Sequence, residues 1–256
     1  MICNSGTAFA ARVDGRRLSF EEVGIHNGVF VMRDRQTGSL WSHYTGEAFE
    51  GPLKGQQLRW IQLERAEAKR LVRQHPKATV PERKSMRFRN TPPLSGRDKA
   101  LRNQLPPNFA ETLPAIDGMP FHTHGLGVAI GDKHTFFPID RLYDASVIED
   151  RVGEVDVVVM VQDGTSTAAA WSRCVDGKTL DFESVQHAGF AALRDVQTSS
   201  TWDASGLAVK GPHKGARLTS VRSIITDWYG WAAYFQDSEV YTAEVVTDGL
   251  GSETNP

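Results

Sequence analysis

The chain has 256 residues and a mass of 28.3 kDa, with 29 basic against 31 acidic residues and a formal net charge of -2. Apolar residues make up 40% and charged ones 23%, the profile of a soluble globular protein long enough to bury a core. No apolar run approaches the roughly 18 residues of a membrane-spanning helix, and the two cysteines, Cys3 and Cys174, exclude a disulfide scaffold. No positively charged start leads into an apolar stretch, so a cytoplasmic location is expected. Met1-Ile2-Cys3 reads like the end of a strand, which leaves room for a start upstream of Met1 and a signal hidden there.

In chain order, Asp14-Gly15 is a two-residue turn signal between alternating apolar and polar residues and predicts a hairpin. Phe30-Val31-Met32 predicts a strand ending in the Asp34–Gly38 turn, and Leu40-Trp41 starts the return strand. Gly51-Pro52 punctuates a loop before a strand at Leu58–Leu63. A helix over Glu64–Gln74 and an extended piece at Ala78–Val80 follow. Residues 81–120 are loop-like, with Pro92-Pro93, Pro106-Pro107, Pro114 and Pro120. Leu126–Ile130, a Gly131-Asp132 turn and His134–Phe137 predict a hairpin that pairs Ala129 with His134. A short helix opened by Pro138 and a buried strand at Val155–Val161 complete this middle region.

The opening pattern then returns. Val13–Glu21 recurs as Val175–Glu183, His26–Trp41 as His187–Trp202, and Gly46–Leu58 as Gly206–Leu218, with 6 of 9, 8 of 16 and 7 of 13 identities. That is 21 of 38 positions, where unrelated sequences of this composition would share roughly two or three. The second copy predicts its own strand at Leu218–Val221, a helix over Ser223–Phe235 and a strand at Glu239–Tyr241. The expected fold is therefore α+β, mostly antiparallel β, with two pseudo-repeated halves each closing on a helix and a short strand. The expected divisions are 1–80 for the first repeat, 81–125 for a Pro-rich basic connector, 126–245 for the second repeat with its leading strands, and 246–256 for a disordered tail. The Val155–Val161 strand feeds the second copy and has no counterpart before the first, which predicts a missing or borrowed strand there.

At these residues the chain resembles an uncharacterised bacterial family, domain of unknown function 3179. Its members carry Cys-Pro-Leu-Cys-Gly-Thr-Ala, an Asp-Gly hairpin, Asp-x-x-Thr-Gly-Ser-x-Trp-Ser, Gly-x-Ala and Gly-Pro-Leu-x-Gly-x-x-Leu. The matching residues are Cys3 with Gly6-Thr7-Ala8, Asp14-Gly15, Asp34 with Thr37–Ser42, Gly46-Glu47-Ala48, and Gly51–Gly55 with Leu58. The paired cysteines are reduced to Cys3, followed by Asn4 and Ser5. The resemblance implies no settled activity.

Residues that serve only the fold belong in both copies, so polar residues without a counterpart are the functional candidates. Cys3 aligns near Thr165 or Ser166 and His43 faces Asp203; these two are the candidate catalytic residues, with Cys3 a nucleophile or soft-metal ligand if a nearby imidazole stabilises its thiolate. Burial for packing alone is the competing account of Cys3, and Cys174, beside the second hairpin, is expected in the core. His122-Thr123-His124 places two imidazoles on one face of a strand, suited to zinc, copper or iron. If the strand is continuous, His134 falls on the opposite face, so the third ligand comes from Cys3, His26 or His43. His26 recurs as His187, which also fits a structural hydrogen bond in each half. Asp34 and Asp195 are expected to cap their turns.

No phosphate loop, dinucleotide fingerprint, Gly-x-Ser-x-Gly or His-Glu-x-x-His is present, so no nucleotide cofactor is expected. Residues 64–103 hold 12 basic against 4 acidic residues, but a pI of 6.5 argues against a nucleic-acid partner. The expectation is a soluble protein that binds a transition metal or a small molecule in a cleft between the halves, with metal-dependent catalysis in view. A Cys3 thiol enzyme and a non-catalytic interaction scaffold are the alternatives. A homo-oligomer is compatible with all three.

Overall fold

A computed structural model describes residues 5–26, 29–63, 71–73, 76–79, 119–120, 122–139, 147–161 and 168–242. Cys3, residues 81–118 of the connector, the helix expected after Pro138, most of the Glu64–Gln74 helix and the C-terminal tail lie outside them; residues 71–73 are helical. The described residues are predominantly antiparallel β, and no described helix is long and apolar enough to cross a membrane.

The first half opens with β1 (Ala8–Ala10) and the hairpin of β2 (Arg12–Val13) and β3 (Arg16–Arg17). Asp14 and Gly15 both take positive φ, +46° and +76°, as a two-residue turn that follows the strands' own twist requires. A meander follows through β4 (Phe20–His26), β5 (Val29–Asp34), β6 (Leu40–Ser42) and β7 (Ala48–Glu50), and β8 (Arg59–Ile61) returns to pair with β1, Phe9 opposite Trp60. Val13, Leu18, Trp41, Ala48 and Leu58 form its core, with Phe9, Phe20, Met32 and Leu53 packed around them.

The middle hairpin of β9 (His124–Ile130) and β10 (Lys133–Pro138) has the expected register, with Ala129 opposite His134. A second hairpin, β11 (Val147–Val152) and β12 (Val155–Val161), leads to β13 (Ala168–Ser172). The short hairpin β14 (Cys174–Val175) and β15 (Lys178–Thr179) and the meander β16 (Phe182–His187), β17 (Phe190–Asp195), β18 (Thr201–Trp202) and β19 (Ala208–Lys210) come next. The chain then adds β20 (Ser223–Asp227), helix α1 (Trp228–Tyr234) and β21 (Glu239–Val240), which pairs parallel with β10.

The second half is layered. Helix α1 covers one face of the β20-β9-β10-β21 sheet through Trp228, Trp231, Phe136 and Ile224. The other face packs Leu126, Val128 and Phe137 against Val157, Val159 and Val161. Val158 and Met160 point the opposite way, into the core of the meander with Trp171, Leu193 and Leu218. A strand buried on both faces reads as an unbroken apolar run, and each such buried side chain contributes about 1.5–3 kcal/mol.

Three expectations are corrected. Ser223–Asp227 is a strand paired with β9, not the first turns of a helix. Its β-branched Ile224, Ile225 and Thr226 suit a pleated surface, and burial alternates along it, with Ile224 and Thr226 the buried positions. Leu218–Val221 makes only an isolated bridge, Ser220 to Trp171. Cys174 is exposed rather than in the core.

Candidate functional site

The segment leading into β1 crosses the turn that follows β6 and brings two hydroxyls to one imidazole. His43 is 4% exposed. Ser5 Oγ lies 3.0 Å from Nε2 and Thr7 Oγ1 lies 3.1 Å from Nδ1. Thr7 also donates its hydroxyl proton to the His43 carbonyl at 2.9 Å. A hydroxyl has one proton to give, so towards Nδ1 Thr7 accepts. The bonding pattern therefore assigns the proton to Nδ1, and Nε2 receives the Ser5 O–H. Phe30 packs against the ring at a tilt of 35°, centroids 3.9 Å apart. Burial pushes the His43 pKa down to about 4, so the imidazole is neutral at pH 7.

Beside this group is a cavity of about 350 Å³ lined by Phe9, Phe20, Phe30, Met32 and Leu58, with Ser5, Thr7 and His43 as its polar wall. Among the described residues, no charged side chain lines it. The combination of an apolar bowl and a few convergent polar groups is the usual form of a small-molecule site.

The corresponding turn of the second half shows why His43 stands alone. Ser42 N bonds the Glu47 carbonyl and Asp203 N bonds the Leu207 carbonyl, both at 2.9 Å. Ser42, not His43, therefore holds the place of Asp203, and the first half carries one extra residue before Gly46. Counting from Trp41 and Trp202, His43 falls on Ala204, a buried core residue. The turn aspartates match more fully than their spacing suggested. Asp34 accepts from Thr37 N at 2.6 Å and Trp41 Nε1 at 2.9 Å; Asp195 accepts from Thr198 N at 2.6 Å and Trp202 Nε1 at 2.9 Å.

The expected metal residues are divided. His122 and His124 do meet, at Asp227: His124 Nδ1 is 3.0 Å from Oδ1 and His122 Nδ1 is 3.8 Å from Oδ2. Asp227 is also the N-cap residue of α1, yet makes no side-chain cap bond; its carboxylate turns to the imidazoles instead. His122 is exposed and sits edge-on to Tyr229. His134 falls on the opposite face, as its register requires, stacked on Phe235 and 3.2 Å from Asp237. His26 ends β4 opposite Val29 and His187 ends β16 opposite Phe190, with the His187 side chain exposed. Among the described residues no group of three or more His, Cys, Asp or Glu is arranged to hold a metal ion.

Sequence reasoning missed Ser5, Thr7, Asp227 and Tyr44. A signal existed for the first two: Ser5 stands directly before Gly6-Thr7-Ala8, where the motif's second cysteine precedes its Gly-Thr-Ala. Tyr44 follows His43 and reaches into the second half, where its hydroxyl lies 2.7 Å from Thr226 Oγ1, next to Asp227.

No curated protein and no solved structure matches the chain. The family model described as protein of unknown function, DUF3179, matches residues 1–238. With that match spanning most of its 256 residues, the chain belongs to the DUF3179 family.

Proposed function

We propose that the chain is a small-molecule-binding protein built from two duplicated β-rich halves, and that the first half holds the ligand in the His43 cavity. The observation that carries this reading is the neutral, tautomer-fixed imidazole in the wall of an uncharged apolar cavity. An ionised ligand would lose its hydration there without a compensating charge. The ligand class is therefore a compact, neutral, apolar molecule with one hydrogen-bonding group directed to Ser5 and His43. Ser5–His43–Thr7 also has the order of nucleophile, base and orienting group, but an imidazole with a pKa of about 4 is a weak base at pH 7. Binding is favoured over turnover.

A matched pair of probes tests this. Benzyl alcohol titrated into the protein is expected to shift the ring resonances of His43 and Phe30, and benzoate, of similar shape but charged, to bind at least tenfold more weakly. Equal affinity for the two, or no shift at millimolar benzyl alcohol, defeats the proposal.

A metal centre at His122 and His124 is the second reading. What favours it is that both imidazoles turn Nδ1 towards one carboxylate, the outer partner that metal-binding histidines commonly use. Metal content measured on untagged protein, and its loss in His124→Ala, is the corresponding test.

A further inference from the structure

The two halves differ in one layer. In the second half β12 lies along β13, with Val158 opposite Trp171 and Met160 opposite Ala169. In the first half β1 has β8 on one side, and among the described residues no strand pairs with its other edge.

The cavity lies where β12's inward side chains would go. Phe9 and Trp171 correspond, since a Cβ on Gly46 would fall 2.5 Å from the Phe9 ring and one on Gly206 would fall 2.6 Å from Trp171 Nε1. Phe20 pairs with Asp34 as Phe182 pairs with Asp195. Met32 faces Trp41 as Leu193 faces Trp202. Leu58 N and Leu218 N bond the carbonyls of Gly46 and Gly206, both at 2.9 Å. Trp171, Phe182, Leu193 and Leu218 enclose Val158 and Met160 in a single core. Phe9, Phe20, Met32 and Leu58 enclose the cavity.

We propose that the β1 edge left unpaired by the described strands and the adjoining cavity are a strand-acceptor site, which takes an extended segment of a partner carrying aliphatic side chains at alternate positions. The incoming main chain pairs along Gly6–Ala10, and two aliphatic side chains enter between Phe9, Met32 and Leu58 as Val158 and Met160 enter the second core. Main-chain pairing supplies affinity and the alternate-residue pockets supply selectivity. An unpaired strand edge is a template for such pairing, and the second half specifies the chemistry of what fits. A β12-like strand is favoured over a second copy of the chain. Two β1 edges joined across a two-fold axis with Phe9 opposite Phe9 would bring a second aromatic ring to the place that the second half fills with the smaller aliphatic Val158. The proposal shares its cavity with the small-molecule reading, so the two occupants compete for it, but it rests on the strand edge and the apolar lining rather than on His43.

A peptide with the sequence of residues 147–161, carrying a solubilising lysine tail and a fluorophore, is titrated into the full chain and followed by anisotropy. Saturable binding is expected. The peptide with Val158→Lys and Met160→Lys is expected to bind at least tenfold more weakly. Hydrogen exchange should slow at residues 6–10 when the wild-type peptide is bound. Absence of binding, insensitivity to the lysine substitutions, protection confined to the second half, or a dimer whose own β1 edges are protected without peptide would each overturn it. These outcomes are read separately from the benzyl alcohol titration, so failure of one proposal is distinguishable from failure of the other.

Discussion

The Tyr44 hydroxyl lies 2.7 Å from Thr226 Oγ1, a bond between side chains 182 residues apart. Tyr44 and Thr226 are both fully buried. The tyrosine belongs to the turn that carries His43, yet it packs among Trp231, Tyr234 and Phe235 of the helical end of the second half. It pins the candidate ligand site of one half to the sheet of the other.

Removing either hydroxyl breaks a buried bond at a net cost of about 0.5–1.5 kcal/mol, with Thr226 Oγ1 keeping the Asp227 carbonyl at 3.4 Å, and once one hydroxyl is gone, removing the other costs less. Tyr44→Phe and Thr226→Val are each expected to destabilise by about that amount, and the double variant by clearly less than the sum. Urea unfolding of the four proteins measures the coupling. Additive costs would mean that the bond carries no net stability.

The buried aspartates give a second prediction. Burial pushes the Asp34 carboxyl up, but hydrogen bonds from the Trp41 indole, the Thr37 amide and hydroxyl and the Ser39 amide overcome this and hold it below its usual range. For Asp195, bonds from Thr198 and Trp202 outweigh burial in the same way. A folded pKa below the unfolded one contributes stability that is present above the unfolded value and lost as pH falls through the folded value. Asp34→Asn and Asp195→Asn should each cost about 1–3 kcal/mol at pH 7 and flatten the acid limb of the stability profile below about pH 4. Unfolding midpoints measured from pH 2 to pH 7 read both effects.

Much of the β framework was legible because its signals are local. Asp14-Gly15 and Gly131-Asp132 declare their turns in two residues, and Val155–Val161 declares its burial by lacking any alternation. The Ser223–Phe235 segment misled for the opposite reason. Its tail is helical, and the strand at its head is specified by pairing with β9, which lies about 100 residues away in sequence. His43 was picked out because it is unpaired between copies, but its partner was misplaced by a one-residue insertion that only the turn hydrogen bonds locate. The cavity itself had no sequence signal of its own. It lies beside a β1 edge that no described strand pairs, a relationship set by tertiary packing rather than by any local run of residues. Asp227 was hidden because its N-cap position suggested a different use of its carboxylate.

Trp171 provides a test of how the cores beside the two meanders differ. Its Nε1 is buried without a hydrogen-bond partner among the described residues, while the first half has Phe9 at that place. Trp171→Phe removes an unsatisfied donor whose burial costs about 1–3 kcal/mol, against a loss of ring volume that opposes it. The two nearly cancel, so the variant should stay within about 1 kcal/mol of the parent, compared with the 3–5 kcal/mol typical of truncating a buried tryptophan to alanine. A loss comparable to that of Trp171→Ala would show that the indole is held by more than its packing.

His43 sets the final prediction, and its sign follows from the direction of its shift. Burial lowers the imidazole pKa from 6.5 to about 4, so between those values the unfolded chain takes up a proton that the folded chain does not. Stability from this group is complete above about pH 6.5 and declines as pH falls towards 4. At 1.36 kcal/mol per unit the loss by pH 4 reaches about 3 kcal/mol. This window lies above the one set by Asp34 and Asp195, so the two contributions separate on the pH axis. His43→Gln keeps a neutral polar side chain and should flatten the curve between pH 6.5 and 4 while leaving the lower limb intact. Nitrogen-15 shifts of the ring should report a neutral Nδ1–H tautomer at pH 5.5. A ring that titrates near 6.5 would place His43 in contact with solvent, and would remove the fixed imidazole on which the proposed recognition of a neutral ligand depends.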